Sequence, residues 1–238
     1  MMIKTKFSLV HGLMALAISA FTLAPQAVRA QEQAPQEHRW EKAIQKFEAQ
    51  DKVSTAPLKN GIVFVGSSSI GGWKVHDYFP DLPVLNRGFG GSQSDDVVHF
   101  YSRVVKPYEP QVVVFYSGDN DVSAKKTSDT IGGDVRRLVE LIEADFPKTT
   151  VVLIPPKPSI RRWEMWPVME DVGRQEKAIA DEKPNVIYME IKDIMIGEDG
   201  KPKPEYFLAD KLHMTPAAYK AWSERLRPIL DEHYKKPE

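Results

Sequence analysis

Five short apolar runs, separated by stretches with helical periodicity, constrain the fold of this chain more than any other feature. Each run is rich in β-branched residues and bounded by Gly, Pro or Asn, and together they cover residues 62–65, 84–85, 112–116, 151–154 and 186–189. Runs of this length and composition predict strands. Because they are almost continuously apolar rather than alternating, they indicate a parallel sheet covered on both faces.

The intervals between the runs predict the covering layers. Helices are expected at residues 38–50, 94–105, 130–145, 164–181 and 216–234, from the spacing of their apolar side chains. Strand and helix therefore alternate along most of the chain. This alternation predicts one α/β domain, a three-layer α/β/α sandwich around a five-stranded parallel sheet.

The first thirty residues have the layout of a secretory signal peptide. Lys4 and Lys6 form a basic start, residues 13–24 are apolar or small, and residues 28–30 offer a small-residue cleavage site. An uncleaved anchor is the alternative, but about a dozen apolar residues fall short of the ~20 needed to span a bilayer. We therefore predict cleavage after Ala30, no stable membrane insertion afterwards, and a periplasmic or secreted protein.

The remaining chain is predicted to have two parts. Residues 31–57 form an N-terminal extension with one helix, and residues 58–238 form the α/β domain. Removing residues 1–30 takes away three positive charges and no acidic ones, so the formal net charge changes from −1 to −4. A net charge of −4 does not predict a nucleic-acid partner, because binding nucleic acid would require a concentrated basic face. The pairs Lys125-Lys126 and Arg161-Arg162 are predicted to be solvated surface.

The chain contains no cysteine, which excludes disulfides and a thiolate metal site. Ser68 is the candidate nucleophile because it lies where the first predicted strand ends, just after Gly66. Folds of this class place their ligands at that edge of the sheet. Another possibility is that Ser68 only caps a helix. The G-x-S-x-G elbow of α/β-hydrolases is absent, since Ile70 stands where its second glycine would be.

A serine nucleophile needs a base, usually histidine, and a carboxylate to orient that base. Of the histidines, His213 has the most informative setting, because Asp210 precedes it by three residues on a predicted loop before the last helix. That spacing allows the carboxylate to reach the imidazole Nδ1 and leaves the other nitrogen facing outward. Taken alone, an Asp-x-x-His pattern is weak evidence for catalysis. It supports a catalytic role only in combination with the candidate nucleophile Ser68.

Acyl transfer also needs hydrogen-bond donors for the developing oxyanion. Residues 86–91 follow the second predicted strand and include Gly91, whose bare amide would be accessible. Asn120 follows the third strand and offers a neutral side-chain amide. Both segments are also compatible with simple turns. In a sheet ordered 2-1-3-4-5, the ends of the first three strands are neighbours, so Ser68, Gly91 and Asn120 would converge.

Asp119 and Asp121 flank this asparagine and raise the alternative of a site for a hard metal ion. No second carboxylate cluster and no histidine pair at ligand spacing accompanies them in the sequence. We therefore predict no metal.

These residues carry a resemblance to a known family. The chain resembles the SGNH hydrolases, also called GDSL-type lipases and esterases, whose four blocks supply Ser, Gly, Asn and His in that order. The resemblance covers residues 62–226, and its matching positions are Ser68, Gly91, Asn120, Asp210 and His213. It implies a flavodoxin-like fold and cofactor-free hydrolysis of esters or thioesters. The implied oxyanion hole consists of the Ser68 amide, the Gly91 amide and the Asn120 side chain.

One departure from the family pattern is visible. The usual Gly-Asp-Ser is Gly66-Ser67-Ser68 here, so the carboxylate beside the nucleophile is missing. This leaves a choice between Ser68 and Ser69 for the nucleophile, and likewise between Gly90 and Gly91 for the donor.

The expected function is hydrolysis of carboxylic esters with short acyl chains, or of O-acetyl groups on saccharides, without a cofactor. Two alternatives stay open: an acyltransferase on the same scaffold and a non-catalytic binding module. Trp73, Trp163 and Trp166 lie in segments that would wall the site and contact a small-molecule or saccharide ester. The alternative for these tryptophans is that they cover core surface.

Overall fold

The computed structural model describes residues 37–54 and 59–236. The predicted signal segment and the predicted boundary between residues 57 and 58 lie outside the described residues. Residues 38 to 238 cluster into one compact unit.

The sheet has five strands, which are β1 (Ile62–Gly66), β2 (Val84–Gly88), β3 (Val112–Tyr116), β4 (Thr150–Ile154) and β5 (Val186–Tyr188). All are parallel and lie in the order β2-β1-β3-β4-β5, which confirms the predicted α/β/α architecture and strand order.

The second strand is longer than predicted. Asn86 and Gly88 were expected after it but lie within it, paired with Phe64 and Gly66 of β1. A polar residue is tolerated there because the Asn86 side-chain amide donates to the carbonyl oxygens of Ile70, at 2.6 Å, and Trp73, at 2.9 Å.

The five predicted helices are present, each displaced by less than one turn. Four single-turn helices were not predicted, because one turn is too short to show helical periodicity. In chain order the helices are α1 (Glu41–Val53), α2 (Ser68–Gly71), α3 (Val75–Tyr78), α4 (Ser94–Val104), α5 (Asp119–Ser123), α6 (Ser128–Asp145), α7 (Trp166–Glu182), α8 (Lys192–Met195) and α9 (Pro216–His233). Of the helices described, none has the length and apolar character needed to cross a membrane.

Each face of the sheet packs against its own helical layer. One face presents Phe64, Val114 and Tyr116 to a cluster that includes Trp222 and Leu226 of α9. The opposite face packs on α1, α4, α6 and α7. Neighbouring residues of a strand therefore face different layers, and both layers are apolar, which explains why the strand sequences lack polar alternation.

Helix α1 packs against the sheet domain through both apolar and charged contacts. Ile44 is fully buried among residues of the second cluster. Arg103 of α4 donates hydrogen bonds to both Glu41 and Glu48 of α1. Near the end of the helix, Asp51 forms an ion pair with Arg87 of β2.

Gly66 sets the direction in which the chain leaves β1. Its φ is +140°, and a Cβ there would lie 1.9 Å from the carbonyl oxygen of Tyr116 on β3. Only glycine fits this backbone and this close approach. The turn that follows brings Ser67 and Ser68 to the carboxyl edge of the sheet, where the loops after β2 and β3 also lie.

Candidate active site

Ser68 is the first residue of α2, directly after the turn at Gly66. Amides in the first turn of a helix have no intrahelical acceptor, so the Ser68 amide is available as a donor. The preceding amide is not available, because Ser67 N–H donates a hydrogen bond to the carbonyl oxygen of Tyr116 at 3.1 Å. This start of α2 therefore presents both a hydroxyl and an amide at the edge of the sheet.

The structure brings the three predicted groups together. Ser68 Oγ lies 3.2 Å from His213 Nε2, and His213 Nδ1 lies 2.5 Å from Asp210 Oδ2. An ionised carboxylate only accepts hydrogen bonds, so in the neutral imidazole Nδ1 carries the proton and donates to Asp210. Nε2 is then the acceptor, and it faces the serine hydroxyl. This is the tautomer that a general base for Ser68 requires.

A tight turn holds the carboxylate against the imidazole. Asp210 Oδ1 accepts from the backbone amides of Leu212, at 3.0 Å, and His213, at 2.9 Å. Lys211, between Asp210 and Leu212, has a φ of +60°, which closes the turn. The His213 side chain, together with these two amides, holds the pKa of Asp210 well below its ordinary value. Asp210 is therefore ionised and accepts the hydrogen bond from the imidazole.

The geometry separates the two candidate serines. Ser69 is buried, and its Oγ accepts from Lys157 Nζ at 3.1 Å, away from the histidine. Lys157 is itself only 1% exposed and also donates to Tyr116 Oη, at 3.1 Å, and Asp119 Oδ2, at 3.0 Å. Ser68 faces His213, while Ser69 belongs to a buried polar network beneath it.

Opposing effects act on the charged pair in this network. Burial alone would raise the pKa of Asp119, but the Lys157 ammonium and the Arg162 guanidinium outweigh burial and hold it below its ordinary value. Burial alone would lower the pKa of Lys157, and the Asp119 carboxylate holds it above its ordinary value instead. Burial also raises the pKa of Tyr116 to about 12, so Tyr116 stays a neutral partner. The Lys157–Asp119 pair is therefore ionised.

The Asn120 side chain and the glycine loop meet beside Ser68. Asn120 Nδ2 donates to the carbonyl oxygen of Ser92 at 3.0 Å. In the same loop, Gly91 has a φ of +80° and lies against the ring edge of Trp40, while a Cβ on Gly90 would lie 3.8 Å from Ser68 Cβ. The three segments that the sequence predicted to converge are thus adjacent at one edge of the sheet.

The flanking aspartates have partners of their own. Asp119 pairs with Lys157, as described above. Asp121 is fully buried and accepts from the backbone amide of Ser94 at 2.9 Å. Asp121 also clusters with Asp95 and Asp134, and this cluster surrounds the Lys126 ammonium, which lies 2.7 Å from Asp95 Oδ1 and 3.4 Å from Asp121 Oδ1. The positive charges facing these carboxylates are therefore those of Lys157, Arg162 and Lys126.

The three tryptophans have different environments. Trp73 does not wall the site: it is 1% exposed, packs against Phe64 and Trp222, and donates from Nε1 to Ser223 Oγ at 3.0 Å. It was misassigned because a core aromatic and a site aromatic look alike in sequence. Trp163 and Trp166 are partly exposed, with parallel rings whose centroids are 6.1 Å apart, in the segment after β4 that also carries Arg162.

Two basic residues predicted to be solvated surface are partly buried and paired. Lys126 sits in the carboxylate cluster already described. Arg162 is only 14% exposed, and its Nη2 donates to Asn120 Oδ1 at 3.0 Å. Arg162 lies in the 3₁₀ segment Ile160–Met165, after β4. The signal in the sequence is its place after β4, because the carboxyl ends of parallel strands share one edge of the sheet.

Solved structures of other proteins share this fold. A GDSL-like lipase from Bacteroides thetaiotaomicron shares 22% identity at a TM-score of 0.66, over 79% of this chain and 97% of that chain. A lipase/acylhydrolase from Enterococcus faecalis shares 19% identity at a TM-score of 0.65, over 75% and 99%. An acetyl-xylooligosaccharide esterase from Geobacillus, solved as a mutant, shares 18% identity at a TM-score of 0.56, over 76% and 97%. At these identities the likeness shows a common fold.

Sequence comparisons give the family. A search of curated protein sequences finds no match. The model of the GDSL-like lipase/acylhydrolase family matches residues 64–221, from the middle of β1 into the first half of α9. The matched stretch includes Ser68, Asp210 and His213. This stretch is well over half of the chain. The protein belongs to the GDSL-like lipase/acylhydrolase family.

Proposed function

We propose that the protein is an exported serine esterase that hydrolyses short-chain carboxylic esters, including O-acetyl groups on saccharides. The observation that carries the proposal is the contact of Ser68 Oγ with His213 Nε2, at 3.2 Å, on an imidazole that Asp210 orients from the other side. A serine that served only as a helix cap would not need an oriented imidazole at its hydroxyl.

The first half of the proposed reaction forms an acyl-enzyme. Ser68 Oγ attacks the ester carbonyl carbon while His213 Nε2 takes the hydroxyl proton. The carbonyl oxygen becomes an oxyanion, which the Ser68 amide, the Gly91 amide and the Asn120 Nδ2 group stabilise. When the intermediate collapses, the ester C–O bond breaks and the alcohol leaves with the proton from Nε2.

The second half repeats these steps with water. His213 Nε2 removes a proton from a water molecule that attacks the acyl carbon. The bond between the acyl carbon and Ser68 Oγ then breaks, Oγ takes the proton from Nε2, and the carboxylic acid is released. Asp210 remains a carboxylate throughout and stabilises the imidazolium in both halves. Every proton lost by a nucleophile is thus returned to a leaving group, so no cofactor is required.

The substrate class is argued from the segment after β4. Trp163 and Trp166 present partly exposed indole faces next to the residue that contacts Asn120. Aromatic faces combined with a few polar groups suit the binding of a small ligand such as a sugar ring. The Geobacillus protein of the same fold, which is named for acetyl-xylooligosaccharides, gives this choice further support.

A kinetic comparison of esters tests the proposed function and its substrate class. We expect turnover of p-nitrophenyl acetate and of acetylated xylooligosaccharides, with kcat/KM about tenfold or more above that for p-nitrophenyl octanoate, since a methylene mismatch in a binding site costs about 1–3 kcal/mol. Free acid should be the product when alcohol acceptors are added. An ester of the acceptor as main product would make the protein an acyltransferase, and no turnover of any ester would contradict the proposal.

Export is proposed from the basic, apolar and small-residue pattern of residues 1–30. Expressed from Met1 in a bacterial host, the protein should accumulate outside the cytoplasm with Gln31 as its first residue. Intact-mass measurement of the purified protein checks this. A mass that includes residues 1–30 would contradict cleavage.

A further inference from the structure

We infer that Arg162 is a positioning residue for the oxyanion hole, acting by fixing and polarising the side-chain amide of Asn120. The inference rests on the proposed function, since an oxyanion hole has a role only if the site performs acyl transfer. Arg162 reaches the site from the segment after β4, and its Nη2 donates to Asn120 Oδ1 at 3.0 Å.

The neighbours of Asn120 determine which way its amide faces. A guanidinium can only donate hydrogen bonds, so the group against Arg162 must be Oδ1. A backbone carbonyl can only accept them, so the group 3.0 Å from the Ser92 oxygen must be Nδ2. Both partners favour the same orientation. In the flipped amide, Nδ2 would face the Arg162 guanidinium, another donor, and Oδ1 would face the Ser92 carbonyl oxygen, another acceptor. In the favoured orientation Nδ2 uses one hydrogen on Ser92 and keeps the other for the substrate oxyanion.

Without Arg162, only the Ser92 carbonyl would hold this orientation. The amide could then rotate and present Oδ1, an acceptor, to the developing negative charge. An acceptor at that place would repel the transition state that Nδ2 stabilises. Preorganised donors are effective because they need no rearrangement when the charge forms, and Arg162 supplies that preorganisation.

The charge of Arg162 should strengthen Asn120 Nδ2 as a donor, in addition to orienting the amide. Arg162 is 14% exposed and its Nη1 lies 3.2 Å from Asp119 Oδ2, which also accepts from Lys157. Two cations and one carboxylate leave this cluster with one net positive charge beside the site. A charged donor on Oδ1 withdraws electron density from the amide and strengthens Nδ2 as a donor, more so in partly buried surroundings.

The neighbouring arginine provides a matched control. Arg161 has the same side chain in the same 3₁₀ segment, but it is exposed, and its backbone amide donates to the Lys211 carbonyl oxygen at 2.9 Å. Substitution of Arg161 changes the overall charge in the same way without removing a contact to Asn120. Any effect specific to Arg162 therefore reports its position rather than its charge alone.

The experiment compares Arg162→Met with Arg161→Met in steady-state hydrolysis of p-nitrophenyl acetate. We expect Arg162→Met to lower kcat by about 10- to 100-fold, less than the loss of an oxyanion donor itself, with KM changed by less than about threefold. Arg161→Met should match the wild type. Arg162→Lys, which keeps the charge but loses the planar fork, should fall between them, and added guanidinium should partly restore the rate of Arg162→Ala.

A double-mutant cycle with Asn120→Ala decides the mechanism. If Arg162 acts through the amide, Arg162→Met should have less than about a twofold effect in the Asn120→Ala background. An equal effect in both backgrounds would overturn the inference, and so would wild-type kcat in a folded Arg162→Met variant. If Arg162→Met fails to fold, the cycle is run with Arg162→Lys under the same criterion. Absence of ester hydrolysis in the wild type would instead contradict the proposed function, so the two failures are distinguishable.

Discussion

Replacing Ser68 with alanine should lower ester turnover by a factor of about 10⁴ or more while the protein remains folded. The hydroxyl is the only group removed, and in the proposed mechanism its oxygen forms the bond to the acyl group. Ser68 lies at the edge of the sheet, with its Oγ directed at His213. Stability should therefore change by less than about 0.5 kcal/mol. Hydrolysis of p-nitrophenyl acetate and thermal unfolding measure the two quantities.

The adjacent serine supplies the control. Ser69→Ala removes an acceptor of buried Lys157 and should cost about 1 kcal/mol of stability, but turnover should persist. A fluorophosphonate probe should label the wild type and the Ser69→Ala variant and leave the Ser68→Ala variant unlabelled, because labelling requires an activated hydroxyl. If Ser68→Ala kept the wild-type rate, or if Ser69→Ala abolished it, the assignment of the nucleophile would be wrong.

Replacing Asp119 with asparagine should have the largest effect on stability among single isosteric changes near the site. The substitution leaves the buried Lys157 ammonium without its carboxylate, 3.0 Å away in the wild type, and leaves Arg162 beside it. Breaking a buried ion pair by removing one partner costs about 3–5 kcal/mol. Urea unfolding at pH 7 measures this loss.

The dependence on pH follows from the lowered pKa of Asp119. A carboxyl whose pKa is lower in the folded than in the unfolded protein stabilises the fold above the unfolded pKa, about 3.9 for Asp. This stabilisation is lost as the pH falls through the lower folded value. The difference between wild type and Asp119→Asn should therefore be equal at pH 7 and pH 5 and should shrink only below about pH 4.

An exposed ion pair is the appropriate control for this change. Asp193 and Arg225 approach to 2.6 Å, but their side chains are 59% and 39% exposed. Asp193→Asn should therefore cost less than about 1 kcal/mol. If the two variants lost similar amounts of unfolding free energy, burial would not increase the contribution of the Lys157–Asp119 pair to stability.

Much of the fold could be predicted because its signals are local and repeated. The five apolar runs gave the strands, and the helical stripes between them gave the long helices. The site residues that follow strand ends could be found for the same reason: topology places the ends of β1, β2 and β3 side by side. Ser68 and Asn120 were located by this rule, and the Asp210–His213 turn by its spacing.

The parts that were missed depend on contacts between distant segments. Nothing local distinguishes Trp73, which is core, from Trp163, which is partly exposed. Arg161 and Arg162 are adjacent and identical in type, yet only Arg162 turns inward, because that side of the segment faces Asp119 and Asn120. Burial of a charge is decided by which countercharge the tertiary fold brings near it, and that information is spread over the whole chain.

The attachment of α1 has a practical consequence for producing the protein. Trp40 touches the loop of Gly91, and Arg103 and Arg87 of the sheet domain hold Glu41, Glu48 and Asp51. A recombinant version that begins at β1 would leave the charges of these two arginines uncompensated and would expose the apolar residues of the second cluster that Ile44 covers. Such a version should be prone to aggregation, whereas one starting at Gln31 keeps every one of these partners.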